Sequence, residues 1–396
     1  MASGSVFTRD EVKEEEEEEV GSGLIDRISS LPEGIILSIL SLLTHKEAVK
    51  TSLLSCRWVY FWMSALTVLD FDSPKVSPAR RTEFKQWASR VVRQLNNATT
   101  STKFRVSFTL SNQYSFDGDK DQWLKFTISN RFEYLKLCSS NPTPASTREG
   151  KSCGYAFPED CFNNIVTPSG LSDVKSLRSL RLSCVEVEAR TIEHFISECP
   201  YLEELAVHRS DSLRELKIAA ADMGSSSSLA LKRLEVVRCR CLISLEIYNV
   251  SCLTHFTYRG HWTIGLRLKD CVSLVDVNIG FDGSCIKTLV FDLVSCYAAQ
   301  LTALAVLISP VFTRFSKVAE FVRLKLLTVE AYPTFVVHVP GLDTLINACP
   351  NLHTLRVKIN ACQPRVMTKA MQERDNIKGR HESIKVVEII GFTCPN

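Results

Sequence analysis

Cysteine and histidine are the residue types in this sequence that could bind a metal ion or act as nucleophiles, and the chain has fifteen and eight of them. Their spacing indicates neither use. There is no Cys-x-x-Cys pair and no histidine pair at metal-ligand spacing, so we expect no metal site. The sequence also lacks a phosphate-binding loop, a Gly-x-Gly-x-x-Gly turn after a strand and a Gly-x-Ser-x-Gly elbow. We therefore predict no catalytic residues, no cofactor and no enzymatic activity.

The charge of the chain is small overall but unevenly distributed. The net charge is +3 at pH 7. The first twenty residues contain two basic and eight acidic residues, a net charge of −6, so the remaining chain carries +9. Because such an acidic run repels itself, we expect residues 1–22 to form a disordered tail. The positive charge of the body is too dilute to indicate a nucleic-acid partner.

The sequence shows no sign of secretion or membrane insertion. Its N-terminus is acidic and has no apolar segment of the signal-peptide type. The longest apolar stretch, residues 298–308, is too short to span a bilayer. We therefore expect no membrane contact, reduced cysteines, and a location in the cytoplasm, the nucleus or both.

Residues 23–70 have the pattern of a small module of three helices. Ser30 is the expected cap of the first helix. The spacing of a buried helix face is then occupied by Ile36, Ile39, Leu40 and Leu43. Other apolar residues of the same helix lie outside that face, namely Ile35, Leu37 and Leu42. Two further helices are predicted to begin at Thr44 and Ser55. Because a module of this size cannot bury so much apolar surface alone, we expect it to bind a partner or the rest of the chain.

The same module resembles the plant F-box motif. The likeness is carried by Asp-Arg-Ile-Ser-Ser-Leu-Pro-Glu at 26–33, Lys-Glu-Ala-Val-Lys-Thr-Ser at 46–52 and Leu-Ser-Cys-Arg-Trp at 54–58. In that family the motif binds a Skp-type adaptor, which links it to a cullin-RING ubiquitin ligase. The resemblance implies that the adaptor contacts are made by Leu31, Pro32, Ile35, Leu53 and Trp58. Two positions depart from the family: Gly34 replaces a usual acidic residue, and Cys56 replaces a common lysine.

The rest of the chain repeats one pattern, which is a leucine, two residues, a second leucine, one residue and an aliphatic residue. Clear copies begin at Leu177, Leu202, Leu213, Leu231, Leu242, Leu324 and Leu352, and looser copies at Leu253, Leu274 and Ile286. The last two positions of a copy share one face of a strand. Since stacked copies bury a face that a single copy leaves exposed, the pattern predicts a leucine-rich-repeat solenoid over residues 71–359.

The spacing of the copies predicts which of them are joined by helices. Ile192, Phe195, Ile196 and Cys199 recur 150 residues later as Leu342, Leu345, Ile346 and Cys349. Each set has the spacing of a buried helix face, and each is followed by a proline. Copies only 11 residues apart leave no room for a helix, so we expect turns or short extended returns there, on the convex side. Small thiols after strands are expected to be packed in turns, namely Cys184, Cys239 and Cys241.

The C-terminal residues show a second resemblance. Residues 383–392, Ser-Ile-Lys-Val-Val-Glu-Ile-Ile-Gly-Phe, are similar to the start of the FBD segment of plant F-box proteins. In that family the segment continues well beyond this point. We therefore expect residues 360–396 to form a truncated FBD-like segment.

These patterns predict an α/β fold in which a short N-terminal three-helix F-box module precedes an irregular leucine-rich-repeat solenoid. The resemblance implies a substrate-recognition adaptor of a Skp-cullin-F-box ubiquitin ligase, which presents an unknown protein target on its repeats. The alternative is a repeat scaffold that engages no ligase. The target-binding residues are not determined by the sequence, although charged residues between the leucines are candidates, such as Arg178, Arg181, Glu204, Arg214 and Lys217.

Overall fold

Two separate units make up the chain in the computed structural model, Met1–Ala65 and Leu66–Asn396. The structure describes residues 27–28, 30–43, 47, 50–51, 57–58, 61, 68–71, 104–110, 132–139, 155–157, 173–220, 229–261, 263–282, 293–308, 318–331, 342–359 and 381–390. The predicted acidic tail and the copy at Ile286 lie outside those residues. The boundary expected after residue 70 falls within the first strand, Val68–Phe71.

Seventeen strands are present among the described residues of the second unit. They are β1 (Val68–Phe71), β2 (Phe104–Leu110), β3 (Phe132–Ser139), β4 (Tyr155–Ala156), β5 (Ser179–Ser183), β6 (Val185–Glu186), β7 (Glu204–His208), β8 (Glu215–Ala219), β9 (Arg233–Val237), β10 (Ser244–Tyr248), β11 (His255–His261), β12 (Gly265–Lys269), β13 (Asp276–Asp282), β14 (Ala303–Ile308), β15 (Leu326–Ala331), β16 (Thr354–Ile359) and β17 (Val386–Ile390). Twelve of them form one sheet, which we call the large sheet, in the order β1-β2-β3-β5-β7-β9-β11-β13-β14-β15-β16-β17. Every neighbouring pair in it is parallel. A sheet of stacked parallel strands is the architecture that the repeats predict.

The leucine pattern correctly predicts the buried face of the large sheet. The second leucine of each copy pairs with its counterpart on the next strand, and this row is buried at Leu180, Leu205, Leu234, Phe256, Val277, Leu304 and Leu327. The aliphatic position forms a second buried row that includes Leu182, Val207, Val236, Tyr258 and Ile279. Two copies of the same spacing were not predicted from the sequence, Phe132-Leu135-Leu137 and Leu301-Leu304-Val306. Their residues are buried in the same way.

The copies at Leu213 and Leu242 form a second sheet instead of joining the large one. Their strands β8 and β10 pair in parallel with each other, and β10 also pairs in parallel with β12. The core-facing residues of this three-stranded sheet are also buried, at Leu216, Ile218, Leu245 and Ile247. The core therefore lies between two sheets where copies are 11 residues apart, which confirms the short extended returns expected at that spacing. A further pair of strands, β4 and β6, is also parallel.

Helices occur at the two places where the sequence predicts them. Helix α2 (Ala189–Glu198) buries Ile192, Phe195 and Ile196. Helix α3 (Leu342–Asn347) buries Leu345. A 3-10 turn covers Asp173–Ser176. A proline follows each of the two helices, α2 and α3, and ends it because proline cannot continue a helix. A strand of the large sheet comes next in each case.

The first unit contains helix α1 (Glu33–Leu42), with Ile36 and Leu40 buried. The predicted side-chain cap is wrong. The Ser30 hydroxyl donates to the backbone oxygen of Arg27, and Pro32 occupies the cap position without a side-chain hydrogen bond. Glu47, Lys50, Thr51, Arg57, Trp58 and Phe61 are also helical. The predicted helix starts at Thr44 and Ser55 lie outside the described residues, so the three-helix module stays a prediction.

Candidate functional site

Helix α1 presents an apolar face that the chain leaves on the surface. Ile35 is 49% exposed and Leu42 is 86% exposed, and Ile39 between them is half-buried. These three positions are four and three residues apart, so they lie on one side of the helix. We call them the α1 stripe. The buried residues Ile36 and Leu40 lie on an adjacent side, which leaves the stripe outside the interior of the unit.

The residues that the F-box resemblance implies are divided between the surface and the interior. Pro32 is exposed and Leu31 is half-buried, and both lie immediately before α1, where the Ile35 N–H donates to the Pro32 oxygen at 3.0 Å. Trp58 is only 2% exposed, and its indole N–H donates to the backbone oxygen of Ile28 over 3.3 Å. Trp58 thus fixes the turn before α1 from within. Leu53 lies outside the described residues, and adaptor binding by all five residues stays a prediction.

The exposure of the Ile28 side chain was not predicted from the sequence. That side chain is 49% exposed, although the Ile28 backbone oxygen accepts the Trp58 hydrogen bond. The helical spacing that identified the α1 residues cannot identify Ile28, because it lies in the turn before the helix. Ile28, Ile35 and Leu42 are thus three exposed apolar side chains of the first unit.

Gly34, the departure from the F-box pattern, lies at an open position. A Cβ atom added to it would have nothing within 4 Å. Its backbone oxygen accepts a hydrogen bond from the Ser38 hydroxyl at 2.7 Å. Packing therefore does not require glycine here, and its effect is on the stability of the helix, which it lowers by about 1 kcal/mol relative to alanine.

The face of the large sheet opposite to the core is polar, because side chains of a strand alternate between its faces. At its centre Arg181 donates to Glu204 at 3.2 Å and lies 3.9 Å from the Glu235 carboxylate. His208 lies 3.3 Å from the same carboxylate. Contact with His208, with help from the Arg181 charge, holds the pKa of Glu235 below its ordinary value, although burial opposes this effect. This part of the polar face is a network of partly buried polar side chains in contact with one another.

A second ion pair crosses the polar face of the sheet. Arg259 on β11 donates two hydrogen bonds to Glu330 on β15, at 2.8 and 2.7 Å. The pair bridges two intervening strands, where Gly280 and Leu307 occupy the same row. Burial by itself would raise the pKa of Glu330, but Arg259 and Lys358 outweigh it and hold that pKa below its ordinary value.

Gly280 lies beneath this ion pair. A Cβ atom there would come within 3.1 Å of the Leu307 Cβ and 3.4 Å of the Arg259 Cγ. The glycine therefore leaves the space across which the arginine reaches the carboxylate. The pairing partners are 71 residues apart, so no local pattern in the sequence indicates it.

The charged residues proposed for target contact lie on different surfaces. Arg181 and Glu204 belong to the polar face of the large sheet, and Arg178 immediately precedes β5. Lys217 lies on β8 of the three-stranded sheet and Arg214 immediately precedes it. The structure therefore does not bring the five together, because the 11-residue spacing sends the copy at Leu213 to the other sheet.

Three buried thiols, those of Cys199, Cys239 and Cys349, serve packing rather than nucleophilic chemistry. Burial raises the pKa of Cys199, Cys239 and Cys349 to about 12, so these thiols stay protonated. The packed turn predicted for Cys239 is confirmed, since its Sγ lies 3.7 Å from the backbone oxygen of Val207. The prediction is wrong for Cys241, which is exposed, and Cys184 is half-buried.

The described parts of the chain contain neither a cluster of metal-binding side chains nor a membrane-spanning helix. No three histidine, cysteine or carboxylate side chains there come together as a metal site would require. No helix in those parts has the length and hydrophobicity needed to cross a membrane.

Comparisons with known proteins agree with the fold and with the F-box resemblance. The family described as "At1g61320/AtMIF1, LRR domain" matches residues 98–395. F-box/LRR-repeat protein 25 of Arabidopsis thaliana is 29% identical over 224 residues, 54% of this chain and 78% of that protein. F-box/FBD/LRR-repeat protein At1g13570 of the same plant is 32% identical over 212 residues, 50% of this chain and 47% of that protein. Putative F-box/FBD/LRR-repeat protein At4g13965, also from Arabidopsis thaliana, is 29% identical over 374 residues, 85% of this chain and 76% of that protein. The chain spans about half the length of several other curated relatives. The resemblance to plant F-box/LRR-repeat proteins is thereby confirmed.

Proposed function

The chain belongs to the leucine-rich-repeat family described as "At1g61320/AtMIF1, LRR domain", and from this membership and the exposed α1 stripe we propose that it is a substrate-recognition adaptor of a Skp-cullin-F-box ubiquitin ligase. The first unit binds a Skp-type adaptor, and the repeats hold a protein target. The chain acts in the cytoplasm or nucleus and performs no chemistry itself. It raises the effective concentration of target lysines near the charged ubiquitin carrier.

The observation that carries this proposal is the α1 stripe. A helix that keeps Ile35 and Leu42 in water loses the free energy that their burial would contribute, about 1.5–3 kcal/mol for each side chain when fully buried. Apolar patches of this kind are typical of protein interaction sites. An amphipathic helix whose second apolar face is open can insert that face into a hydrophobic groove of a partner.

The polar face of the large sheet is the surface we assign to the target. Its charged side chains are held in fixed positions by one another, as Arg181 is by Glu204 and Arg259 by Glu330. Ordered charges of both signs give specificity, because a partner with the wrong charge at a position meets repulsion or an unpaired group. The sheet therefore selects its target by charge pattern rather than by a large apolar patch.

The adaptor contact is tested by co-purification of the full chain with a Skp-type adaptor. We expect Ile35→Glu and Leu42→Glu each to weaken binding by about tenfold or more, because each places a charge where an apolar side chain is buried on binding. Ser41→Glu is the matched control. Ser41 is exposed on the same helix but lies about 100° or more from each residue of the stripe, so its substitution should leave binding unchanged.

Two results would contradict the proposal. If the unsubstituted chain binds no Skp-type adaptor, the alternative of a repeat scaffold without a ligase replaces it. If the chain binds but the two stripe variants bind as well as the control, the adaptor contact lies elsewhere, and a Leu31→Ala/Pro32→Ala double variant then tests the turn before the helix.

A further inference from the structure

Two connections between the large sheet and the three-stranded sheet lie side by side. One joins β7 to β8 over residues 209–214, and the other joins β9 to β10 over residues 238–243. Backbone hydrogen bonds link them at both ends, from the Arg209 N–H to the Val237 oxygen at 2.8 Å and from the Ile243 N–H to the Arg214 oxygen at 2.6 Å. Because both connections start at the carboxyl ends of neighbouring parallel strands, they form one continuous surface at that end of the sheet.

Four arginines lie on this surface, and all four are exposed. We call them the arginine rim: Arg209, Arg214, Arg238 and Arg240. No carboxylate in the part of the chain that the structure describes lies within ion-pair distance of their guanidinium groups. The two connections contain these four basic residues and one acidic residue, Asp211, which gives them a net charge of +3. The Asp211 side chain accepts the backbone N–H of Arg240 at 3.4 Å and so serves the turn.

Arginines within the large sheet differ from the rim because the chain supplies each of them with a carboxylate. The ion-pair distances are 3.2, 3.8, 2.7 and 2.6 Å for Arg181, Arg233, Arg259 and Arg356. The rim has positive charges of the same kind on neighbouring connections without that neutralisation. Since neighbouring like charges repel one another, an anionic group brought to the rim would be attracted by several arginines at once.

The backbone does not explain why two of the rim positions are arginine. Arg209 and Arg238 each follow a strand of the large sheet with φ of 56° and 57°. Asparagine and aspartate are the residues other than glycine that suit this left-handed conformation. They occupy the equivalent position after β10 and β12, as Asn249 and Asp270. Residues held in a conformation that they rarely adopt are concentrated at functional sites.

An exposed apolar side chain lies next to the arginines. Ile243 is 59% exposed and directly precedes β10. Its backbone hydrogen bond to Arg214 places the two residues beside each other. Protein interfaces are enriched in arginine and have an apolar centre, and arginines are frequent among the residues that dominate binding energy. The rim and Ile243 together therefore have the composition of a protein-binding surface.

We propose that the arginine rim binds an acidic segment of a protein partner. Carboxylates of the segment pair with the rim, and an aliphatic side chain of the segment packs on Ile243. The planar guanidinium group can give a carboxylate two parallel hydrogen bonds, which lysine cannot do. This contact goes beyond the proposed function, since it uses neither α1 nor the strands of the large sheet.

The surroundings of the rim favour a protein segment over a nucleic acid. DNA-binding proteins can make about 6–10 phosphate contacts, whereas the rim offers four arginines on two short connections. Carboxylates flank it on both sides. Glu186 accepts the backbone N–H groups of Asp211 and Ser212 at 2.8 and 2.7 Å, and Glu215 directly follows Arg214. A continuous phosphate backbone would be repelled by these carboxylates and would leave Ile243 uncovered.

The test is fluorescence anisotropy of a labelled peptide, Asp-Glu-Glu-Leu-Asp-Glu-Glu, titrated with the full chain. We expect saturable binding that Arg214→Glu and Arg238→Glu each weaken by about tenfold or more, because repulsion replaces attraction. Arg323→Glu is the matched control and should leave binding unchanged. Arg323 is an exposed arginine in the turn before β15, at the amino ends of the strands, and its substitution changes the net charge equally.

Two further variants separate binding from folding. Asparagine suits the left-handed backbone at position 238, so Arg238→Asn should keep or raise the thermal unfolding midpoint while it weakens peptide binding by about threefold to tenfold. Ile243→Ser should weaken binding of the peptide with leucine but not of a peptide with serine in its place. A neutral peptide, Asn-Gln-Gln-Leu-Asn-Gln-Gln, should bind neither the unsubstituted chain nor the variants.

Four results would overturn the proposal. They are no saturable binding of the acidic peptide, equal losses in Arg214→Glu and Arg323→Glu, equal binding of the neutral peptide, and displacement of the acidic peptide by a DNA duplex that the rim variants no longer bind. The last result would make a nucleic acid the occupant. Because the assay contains no Skp-type adaptor and the rim lies outside α1, failure here leaves the adaptor proposal intact.

Discussion

Glu330 and Arg259 show how single residues shape the polar face of the large sheet. The carboxylate is almost fully buried, and the guanidinium, which is partly exposed, meets it with two hydrogen bonds. A buried charge is tolerated when it is paired and hydrogen-bonded, and it is costly when its partner is removed. The pair therefore holds β11 and β15 in one arrangement and fixes the charges that a target would meet.

The stability contributed by Glu330 should depend on pH. Because its folded pKa lies below the ordinary value of 4.5, this contribution is present above that value and is lost as pH falls through the folded pKa. We expect Glu330→Gln to lower the free energy of unfolding by about 1–3 kcal/mol at pH 7. The difference from the unsubstituted chain should shrink as the pH falls from 7 to below the ordinary pKa of 4.5. Urea unfolding at pH 7 and at a series of pH values below 4.5 measures this change, and a difference independent of pH would contradict the role of the charge.

Gly34 and Gly280 should respond in opposite directions to the same substitution. Gly34→Ala fills open space on a helix and should raise the stability of α1 by up to about 1 kcal/mol. Gly280→Ala places a methyl group 3.1 Å from the Leu307 Cβ and should destabilise the second unit by about 1–3 kcal/mol. Hydrogen exchange of α1 amides and urea unfolding of the chain measure the two effects. Equal effects at both positions would show that the local space does not decide the outcome.

At the scale of elements, helix α2 is the part of the solenoid whose core contribution is easiest to measure. Phe195 is fully buried, and its ring meets that of Phe157 edge-on with centroids 5.9 Å apart. We expect Phe195→Ala to lower the free energy of unfolding by about 3–5 kcal/mol, because it leaves a cavity. Glu193→Ala on the exposed side of the same helix is the control and should change it by less than about 0.5 kcal/mol. Comparable losses for the two variants in urea unfolding would contradict the packing described for α2.

The sequence predicts the elements better than it predicts their arrangement. The position of α2 and α3 follows from helical spacing and from the prolines that end them. The strands follow from the leucine pattern, but the pattern is the same in β7 and β8, which belong to different sheets. Only the distance between copies indicates that β8 belongs to the second sheet. A spacing of 11 residues allows one strand and a turn, so the chain cannot return to the large sheet within it. Copies at Phe132 and Leu301 were missed, the first because it begins with phenylalanine and the second because it lies within a long apolar run.

The candidate site was also predictable only in part, because local spacing identifies residues of one helix but not contacts between distant segments. Helical spacing and the F-box resemblance identify Leu31, Pro32 and Ile35 as candidates near one surface, since neighbours in a helix are fixed by its geometry. The burial of Trp58 depends on a contact with Ile28, thirty residues away. The bond from Arg259 to Glu330 depends on strand register across the sheet. Contacts of this range are decided by the folded structure and not by local spacing.

At the scale of the whole molecule, the two units carry separate tasks in the function we propose. The first unit has an exposed apolar helix face, which fits a constant partner. The second has a long polar sheet face with paired charges of both signs, which fits a selective one. The division follows from the physical character of each surface, because apolar burial supplies affinity with little selectivity and a fixed charge pattern supplies discrimination.

The most direct test of this account is hydrogen exchange of the full chain with and without a Skp-type adaptor. We predict that the adaptor protects backbone amides around α1, within residues 28–43, and leaves the strands of the large sheet unchanged. Protection confined to the strands, or a complex in which α1 exchanges as fast as in the free chain, would contradict the assignment of the α1 stripe as the adaptor contact.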